Sequence, residues 1–466
     1  MFVWRKVFVV SGEGKKALRN VIASLPVDLA LTKILDVVYR YAYRKNDYIT
    51  QICTHPKYGY VPPEELKELQ WRAVKQAFIH HYNDCDIYRQ RCLEEGIEPN
   101  DIRKYDDVMR IPQIPAEMFK KGGIISIPRN RIMTVVTTSG TRGDPSYLPR
   151  DLSSMLGLAE EAIRLIINVY EPAVMEKLGM NRREIVKYAL SNWTFDLFTP
   201  RPDETSTWLT QAIAPLVPIA KLVGIEVGFY LEGFEFDPKR VLETIKERNK
   251  DNKMMVFWAF HYIINEMIKY MDKTGERLEL DPTGSNICVM ALGGGWKTLE
   301  GDKVDKEEFI DMINEHFGIH KDFIFDLYGL GETNFGALEL LCPEKRMHTV
   351  LNAPIIATRD PDTLEIQDYG EEGLLSIWDP TMNSYPAFVI SDDIVKITDI
   401  YKCPACGRTT QDVKFIGRAE KAELRSCGLK TQQILNDDSR ELLEKFKMEN
   451  VIKAGIGYRP GDELKR

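Results

Sequence analysis

The sequence predicts a mixed α/β protein: a largely parallel sheet with helices, then a strand-rich, zinc-stapled subdomain, then a truncated C-terminal segment. Three observations carry that expectation. Apolar strand-like runs alternate with helical runs between Thr134 and Leu327, which is the mark of βαβ crossovers. After about Pro343 the chain turns strand-rich, with Gly370, Gly373 and Pro386 as punctuation, as antiparallel structure requires. Three cysteines and one histidine with metal-ligand spacing fall inside that second region. The expected boundaries are an unassigned N-terminal extension over 1–61, a main domain over 62–416 with the zinc subdomain at about 340–416, and a short segment over 417–466.

Composition narrows the function. The 466 residues are 44% hydrophobic and 28% charged, with a formal net charge of -8. The acidic balance argues against nucleic acid as a partner, because phosphate binding needs a basic surface. No run approaches the roughly 18 apolar residues of a membrane span, and the N-terminus lacks a signal-peptide layout. Eight cysteines are sparse for this length, so a cytoplasmic protein with reduced or metal-bound thiols is expected.

In chain order, the first fifty residues hold nine Lys/Arg against four Asp/Glu, and Leu25 to Tyr43 has apolar residues at helical spacing. That segment reads as a helix packed on the body with a solvated basic face, the alternative being contact with a membrane or a partner. From Pro62 to about Arg110 the pattern is helical, ending at Ile111-Pro112-Gln113-Ile114-Pro115, where two prolines deny continuation. Strands are then expected at Thr134–Thr138, Ile225–Leu231, Met254–Ala259, Ile287–Leu292 and Phe323–Leu327, with helices starting at Pro238, His261 and Asp305. The part after Gly417 reads as short and helical.

Three glycine-bearing loops follow three of these strands. The first is Thr137-Thr138-Ser139-Gly140-Thr141-Arg142-Gly143-Asp144-Pro145, whose small residues let backbone N–H groups approach a phosphate chain while Arg142 adds charge. It lacks the Gly-Lys-Ser/Thr ending of an ordinary P-loop. The second is Gly293-Gly294-Gly295-Trp296-Lys297 and the third is Tyr328-Gly329-Leu330-Gly331-Glu332-Thr333. Loops at the carboxyl ends of parallel strands are where such sheets bind ligands, and Glu332 is a candidate for holding Mg2+ against phosphates. The bland alternative for each loop is a surface turn, and for Glu332 a solvated acid.

Taken in order, these motifs resemble the adenylate-forming enzymes, which activate a carboxylate as acyl-AMP. Thr138-Ser139-Gly140-Thr141-Arg142-Gly143 is similar to their phosphate loop, and Tyr328-Gly329-Leu330-Gly331-Glu332 to their Tyr-Gly-x-Thr-Glu motif, with Gly331 in place of the usual threonine. Asp393 in Ser391-Asp392-Asp393-Ile394 matches the aspartate that binds ribose hydroxyls, and Gly417-Arg418 the Gly-Arg before the hinge. Within that superfamily the chain resembles acyl-protein synthetases of the LuxE type and phenylacetate-CoA ligases. Tyr88-Arg89, Gly96 to Ile102, Ile114 to Lys120 and Gly293 to Lys297 carry that resemblance, which runs from about Pro62 to Leu429.

Cys342-x5-His348 and Cys403-x2-Cys406 supply three thiolates and an imidazole, a set suited to closed, tetrahedral, structural zinc; the alternative for Cys342 is a buried core thiol. Arg425-Ser426-Cys427-Gly428-Leu429 is similar to the synthetase region that carries the acylated cysteine. The resemblance therefore makes Cys427 a nucleophile candidate, and Arg425 and Lys430 are placed to favour its thiolate. Only 49 residues follow Gly417, a short tail that favours the synthetase branch and leaves Lys297 and Lys421 as candidates for the cation that a longer domain supplies elsewhere.

The resemblance implies ATP, Mg2+ and structural Zn2+ as cofactors, with CoA a further candidate. It also implies a small-molecule carboxylic acid as substrate and an acyl-acceptor protein, such as a reductase or carrier, as partner. Phe257-Trp258-Ala259-Phe260-His261 is a candidate acyl-pocket wall, against ordinary core aromatics beside a satisfied histidine. The competing readings are an aryl- or acyl-CoA ligase and, more distantly, a non-catalytic scaffold of the same fold.

Overall fold

The computed structural model describes residues 47–419, except 122, 139–145, 206–207, 215–216, 218–219, 221–224, 233–234, 296–303 and 399–400. The expected N-terminal helix, Ser139 to Gly143, Lys297, Lys421 and Cys427 lie outside the described residues. In chain order the strands are β1 (Ile114–Pro115), β2 (Ile132–Thr137), β3 (Tyr147–Asp151), β4 (Trp193–Leu197), β5 (Glu226–Phe229), β6 (Met254–Phe260) and β7 (Val289–Gly293). They continue as β8 (Ile324–Gly329), β9 (Gly336–Leu338), β10 (His348–Thr349), β11 (Ile355–Arg359), β12 (Glu372–Trp378), β13 (Phe388–Thr398) and β14 (Asp412–Arg418). Two compact units result. One contains Val169–Thr205 and Ile213–Leu327; the other contains the described parts of Asp36–Asn168, Ser206–Ala212 and Tyr328–Arg466.

The first of these units is the parallel sheet that the alternating pattern predicts. Its strands run β5-β4-β6-β7-β8, every pair parallel. β6 is apolar at all seven positions, as a strand covered on both faces should be. The crossover helices start and stop on local chemistry. Asp237 accepts from the backbone N–H groups of Lys239 and Arg240 to open Pro238–Arg248, and Asp305 caps Lys306–Phe317 in the same way. In His261–Thr274 the buried residues Ile263, Ile264, Met267, Ile268 and Met271 form one stripe at helical spacing.

The other unit joins the helical N-terminal part to the antiparallel strands. Helix Pro63–Asp84 has proline in its first turn beside Glu64 and Glu65, which suits the positive end of the helix dipole. It buries Leu66, Val74, Ala77 and Phe78 in one core with Trp378, Tyr385 and Phe388. The rings of Phe78 and Phe388 meet edge to face, 6.4 Å apart, and each fully buried ring contributes about 1.5–3 kcal/mol by transfer from water. The helical pattern ends at Ile111 as expected. The strand order is β11-β12-β13-β14-β10-β9, antiparallel throughout, with β1 parallel beside β13.

One expected strand has a different place. The run at Thr134–Thr138 does not enter the parallel sheet; as β2 it pairs antiparallel with β3 in a separate two-stranded sheet, Thr137 opposite Tyr147. The connection between them is shorter than the dozen or more residues a parallel crossover needs. β2 and β3 are therefore joined as a hairpin and not by a crossover.

Candidate functional site

The base of that hairpin loop is closed by Thr138. Its backbone N–H donates to the Ser146 carbonyl at 3.3 Å, and its Oγ1 accepts from the Ser146 N–H at 2.9 Å. Ser146 then reaches the third glycine-bearing loop: its Oγ donates to Glu332 Oε1 at 3.0 Å. Glu332 is buried, and burial pushes its carboxyl above the ordinary range although the Ser146 hydroxyl and the Arg150 charge draw it back. The same unit thus brings together Thr138 and Glu332, both named from the sequence.

The space around Gly331 accounts for the missing threonine of the motif. A Cβ there would lie 2.9 Å from Thr138 Cγ2, 3.5 Å from Trp208 Cβ and 3.6 Å from Leu148 Cδ1. The volume is taken by the side chain of Thr138.

Asp393 sits on β13 opposite Arg418 on β14 and is 1% exposed. Tyr328 Oη donates to its Oδ2 at 2.6 Å, and Arg418 Nε lies 2.9 Å from its Oδ1. Burial raises the Asp393 carboxyl, while the Arg418 charge and the Tyr328 hydroxyl lower it. The Tyr328 ring packs against Phe335 and against Phe415, which is 42% exposed. Tyr328, Gly329, Glu332, Asp393 and Arg418 are therefore gathered in one unit, three of them in direct contact.

In the parallel sheet, Gly293 ends β7, and Gly294 and Gly295 turn away with φ of 69° and 57°, a region where side chains are strained. His261 begins the helix after β6, its Nδ1 3.3 Å from the Gly293 carbonyl and its Nε2 3.0 Å from Asp326 Oδ1. Lys306 Nζ lies 3.3 Å from Asp326 Oδ2. Burial raises the Asp326 carboxyl, but the His261 hydrogen bond and the Lys306 charge outweigh it and hold it low. His261 is thus partnered on both ring nitrogens, and Phe257 is a fully buried core ring against Phe198.

The four metal-ligand candidates converge. The ligand atoms of Cys342, His348, Cys403 and Cys406 all lie within 4.8 Å of one another. Tetrahedral zinc, with bonds of about 2.3 Å to sulfur and about 2.0 Å to nitrogen, demands S···S edges of about 3.8 Å and S···N edges of about 3.5 Å. Cys342 Sγ to Cys403 Sγ is 3.9 Å and Cys406 Sγ to His348 Nε2 is 3.4 Å. His348 Nδ1 faces the Thr410 carbonyl at 3.3 Å, which leaves Nε2 for a metal. Burial raises the Cys406 thiol, yet hydrogen bonds from His348 and Arg408 bring it down to about 5, toward the thiolate a metal requires. The donor set, spacing and second contacts fit zinc, with all four positions filled by protein.

Sequence reasoning missed Ser146, Arg150, Trp208 and the Asp326–Lys306 pair. Ser146 directly follows the quoted loop. Arg150 carried no local signal, since its burial on β3 shows only in the structure.

The profile of the LuxE acyl-protein synthetases matches residues 60–177 and 229–436. A long-chain-fatty-acid–luciferin-component ligase of Aliivibrio fischeri is 25% identical over 384 residues, covering 81% of this chain and 92% of that protein. A phenylacetate-coenzyme A ligase of Thermus thermophilus is 27% identical over 112 residues, 23% of this chain and 25% of that one. Among solved structures, 2-hydroxyisobutyryl-CoA ligase with 2-HIB-AMP and CoA superposes with a TM-score of 0.57 at 14% identity, covering 78% of this chain and 71% of that one, which shows the shared fold. The protein is accordingly an AMP-forming acid–thiol ligase, and the chain belongs to the LuxE acyl-protein synthetase family.

Proposed function

We propose that the protein activates a long-chain fatty acid with ATP and passes the acyl group through Cys427 to a thiol of a partner protein such as a reductase or carrier. The observation that carries this reading is the hydrogen bond from Ser146 to Glu332, which joins the phosphate loop's base to the loop that bears the candidate Mg2+ ligand. The name of the relative from Aliivibrio fischeri supplies the long-chain acid. Asp393 is the candidate acceptor for ribose hydroxyls, with Tyr328 and Arg418 fixing its orientation. By residue type alone, Gly293–Gly295 are candidates for close backbone approach to the nucleotide, and Ser139 to Gly143, with the Arg142 charge, for the phosphates. Mg2+, when bound, would offset the charge spread over the phosphates.

In the first step a carboxylate oxygen of the acid attacks the α-phosphorus and pyrophosphate leaves with the bond's electrons. In the second, the Cys427 thiolate attacks the acyl carbonyl carbon and AMP leaves, giving an acyl thioester. A partner thiolate then takes the acyl group and Cys427 is released. Lys297 and Lys421 are the candidates to balance charge in the first step. A zinc ion held by Cys342, His348, Cys403 and Cys406 would brace β9, β10 and β14 without touching the reaction, since no ligand position remains for substrate. Thiol chemistry and a Cys/His cluster suit a reducing compartment, which supports a cytoplasmic location.

The test is intact-protein mass after incubation with ATP, Mg2+ and tetradecanoate. A mass gain of one acyl group that is absent in Cys427→Ser, with ATP–pyrophosphate exchange retained in that variant, is expected. Equal loss of exchange and adduct in Cys427→Ser rejects the relay, and exchange with thioester formed only on added CoA assigns CoA as the acceptor.

A further inference from the structure

Among the described residues, Arg150 is a buried cation without a directly paired anion. It is 4% exposed on β3, and among the described residues no carboxylate oxygen forms an ion pair with it. Its guanidinium instead donates to neutral groups. Nη2 reaches the Gly331 carbonyl at 2.6 Å and the Thr333 carbonyl at 3.4 Å. Nη1 reaches Asn334 Oδ1 at 3.4 Å and Met382 Sδ at 2.6 Å, and the guanidinium carbon lies 5.5 Å from the centre of the Tyr385 ring. Burying a charge this way is costly, and well-packed apolar residues fill such a site more cheaply.

What the arrangement achieves is local. The two carbonyls it holds flank Glu332 on either side in the chain. Both carbonyls accept from the one Nη2, and the planar guanidinium is oriented by the contacts of its other terminal nitrogen with Asn334 and Met382, which a lysine or a neutral side chain does not reproduce. The next residue is pinned from the other direction: Asp379 Oδ2 accepts from the Asn334 N–H at 2.7 Å, and Asn334 Nδ2 donates to Thr381 Oγ1 at 3.0 Å. Ser146 holds one carboxylate oxygen of Glu332.

We infer that Arg150 is the positioning residue for Glu332: it clamps the carbonyls of Gly331 and Thr333 so that the carboxylate between them is presented in one orientation. This rests on the proposed role of Glu332 in adenylation. Arg150 touches neither substrate nor metal in that role and acts only through the loop.

The test is a double-mutant cycle on ATP–pyrophosphate exchange with Arg150→Lys, Arg150→Met, Glu332→Gln and the two combined variants, each titrated with Mg2+. Expected are a tenfold or greater loss of kcat in Arg150→Met, a smaller loss in Arg150→Lys, and a several-fold rise in the Mg2+ concentration for half-maximal rate in both. In the Glu332→Gln background either Arg150 change should cost less than twofold. If the losses multiply, Arg150 acts independently of Glu332 and the inference is overturned while the site reading stands. Full exchange in Glu332→Gln alone overturns the site reading and the inference with it. Should Arg150→Met not fold, the Arg150→Lys arm decides by the same criteria.

Discussion

Gly331→Ala is the sharpest perturbation the site offers, because the clash it makes is with a single atom. The new Cβ would lie 2.9 Å from Thr138 Cγ2, against about 3.5–4.0 Å for relaxed carbon contacts. Thr138 has little room to yield: a β-branched side chain is stiff at χ1, and its Oγ1 is held by the Ser146 N–H at 2.9 Å. Trp208 Cβ at 3.5 Å and Leu148 Cδ1 at 3.6 Å close the other sides. Overpacking of this sort costs about 1–3 kcal/mol. Because the atom displaced belongs to Thr138, at the start of the proposed phosphate loop, that cost should appear in kcat/KM for ATP as a loss of about 5- to 150-fold. Thr138→Ser removes the offending methyl and keeps the hydroxyl, so the Thr138→Ser/Gly331→Ala double variant should recover most of the loss. Pyrophosphate exchange over a range of ATP concentrations measures all four proteins. Wild-type kinetics in Gly331→Ala, or no recovery in the double variant, would refute the view that Thr138 fills the space of the absent threonine.

Asp393→Asn should raise KM for ATP by roughly tenfold or more, since hydrogen bonds to a charged acceptor are worth about 1.5–3 kcal/mol; an unchanged KM would remove Asp393 from the nucleotide site. Removal of metal should lower the thermal midpoint, and the purified protein should hold zinc at one equivalent by elemental analysis, with Co2+ substitution giving thiolate charge-transfer bands. Metal-free protein that unfolds at the same temperature would count against the site. Glu161 gives a pH prediction. Burial pushes its carboxyl to about 8, against the hydrogen bonds it accepts from Cys53 Sγ at 2.8 Å and Tyr58 Oη at 2.6 Å. A carboxyl raised in the folded state stabilises fully below its unfolded pKa, and that contribution is lost as pH rises toward 8, at about 1.4 kcal/mol for each pH unit. Glu161→Gln should therefore flatten the fall in thermal midpoint between pH 5 and 8, and an identical slope in both proteins would show that another group governs it.

Much of the fold was legible because its signals are local. The apolar run of β6, the Asp caps at Asp237 and Asp305 and the proline stop after Arg110 each depend on neighbours in sequence. β4 was not legible. It lies between β5 and β6, yet Thr194 and Asp196 interrupt its apolar pattern. They are tolerated there because Thr194 Oγ1 donates to Asp196 Oδ2 at 2.5 Å and Arg248 Nε lies 3.0 Å from Asp196 Oδ1, a partner more than fifty residues away that no periodicity reveals. The site divides in the same way. Glycine loops, Glu332, Asp393 and the Cys/His set announce themselves by residue type and spacing, whereas Ser146 and Arg150 matter only through contacts with a loop about 185 residues later. The antiparallel pairing of β2 was hidden because a β-branched run looks alike in either kind of sheet.

The central claim is that this chain makes an acyl-adenylate and then an acyl-cysteine. Its most direct test is ATP–pyrophosphate exchange across straight-chain acids of increasing length and a set of aromatic acids, with intact mass on each positive. Exchange should peak with long-chain acids, require Glu332 and be accompanied by an acyl adduct dependent on Cys427. Exchange confined to aromatic acids with no protein adduct would contradict the acid and the acceptor proposed here. Its absence with every acid, in folded and metal-replete protein, would contradict adenylation itself.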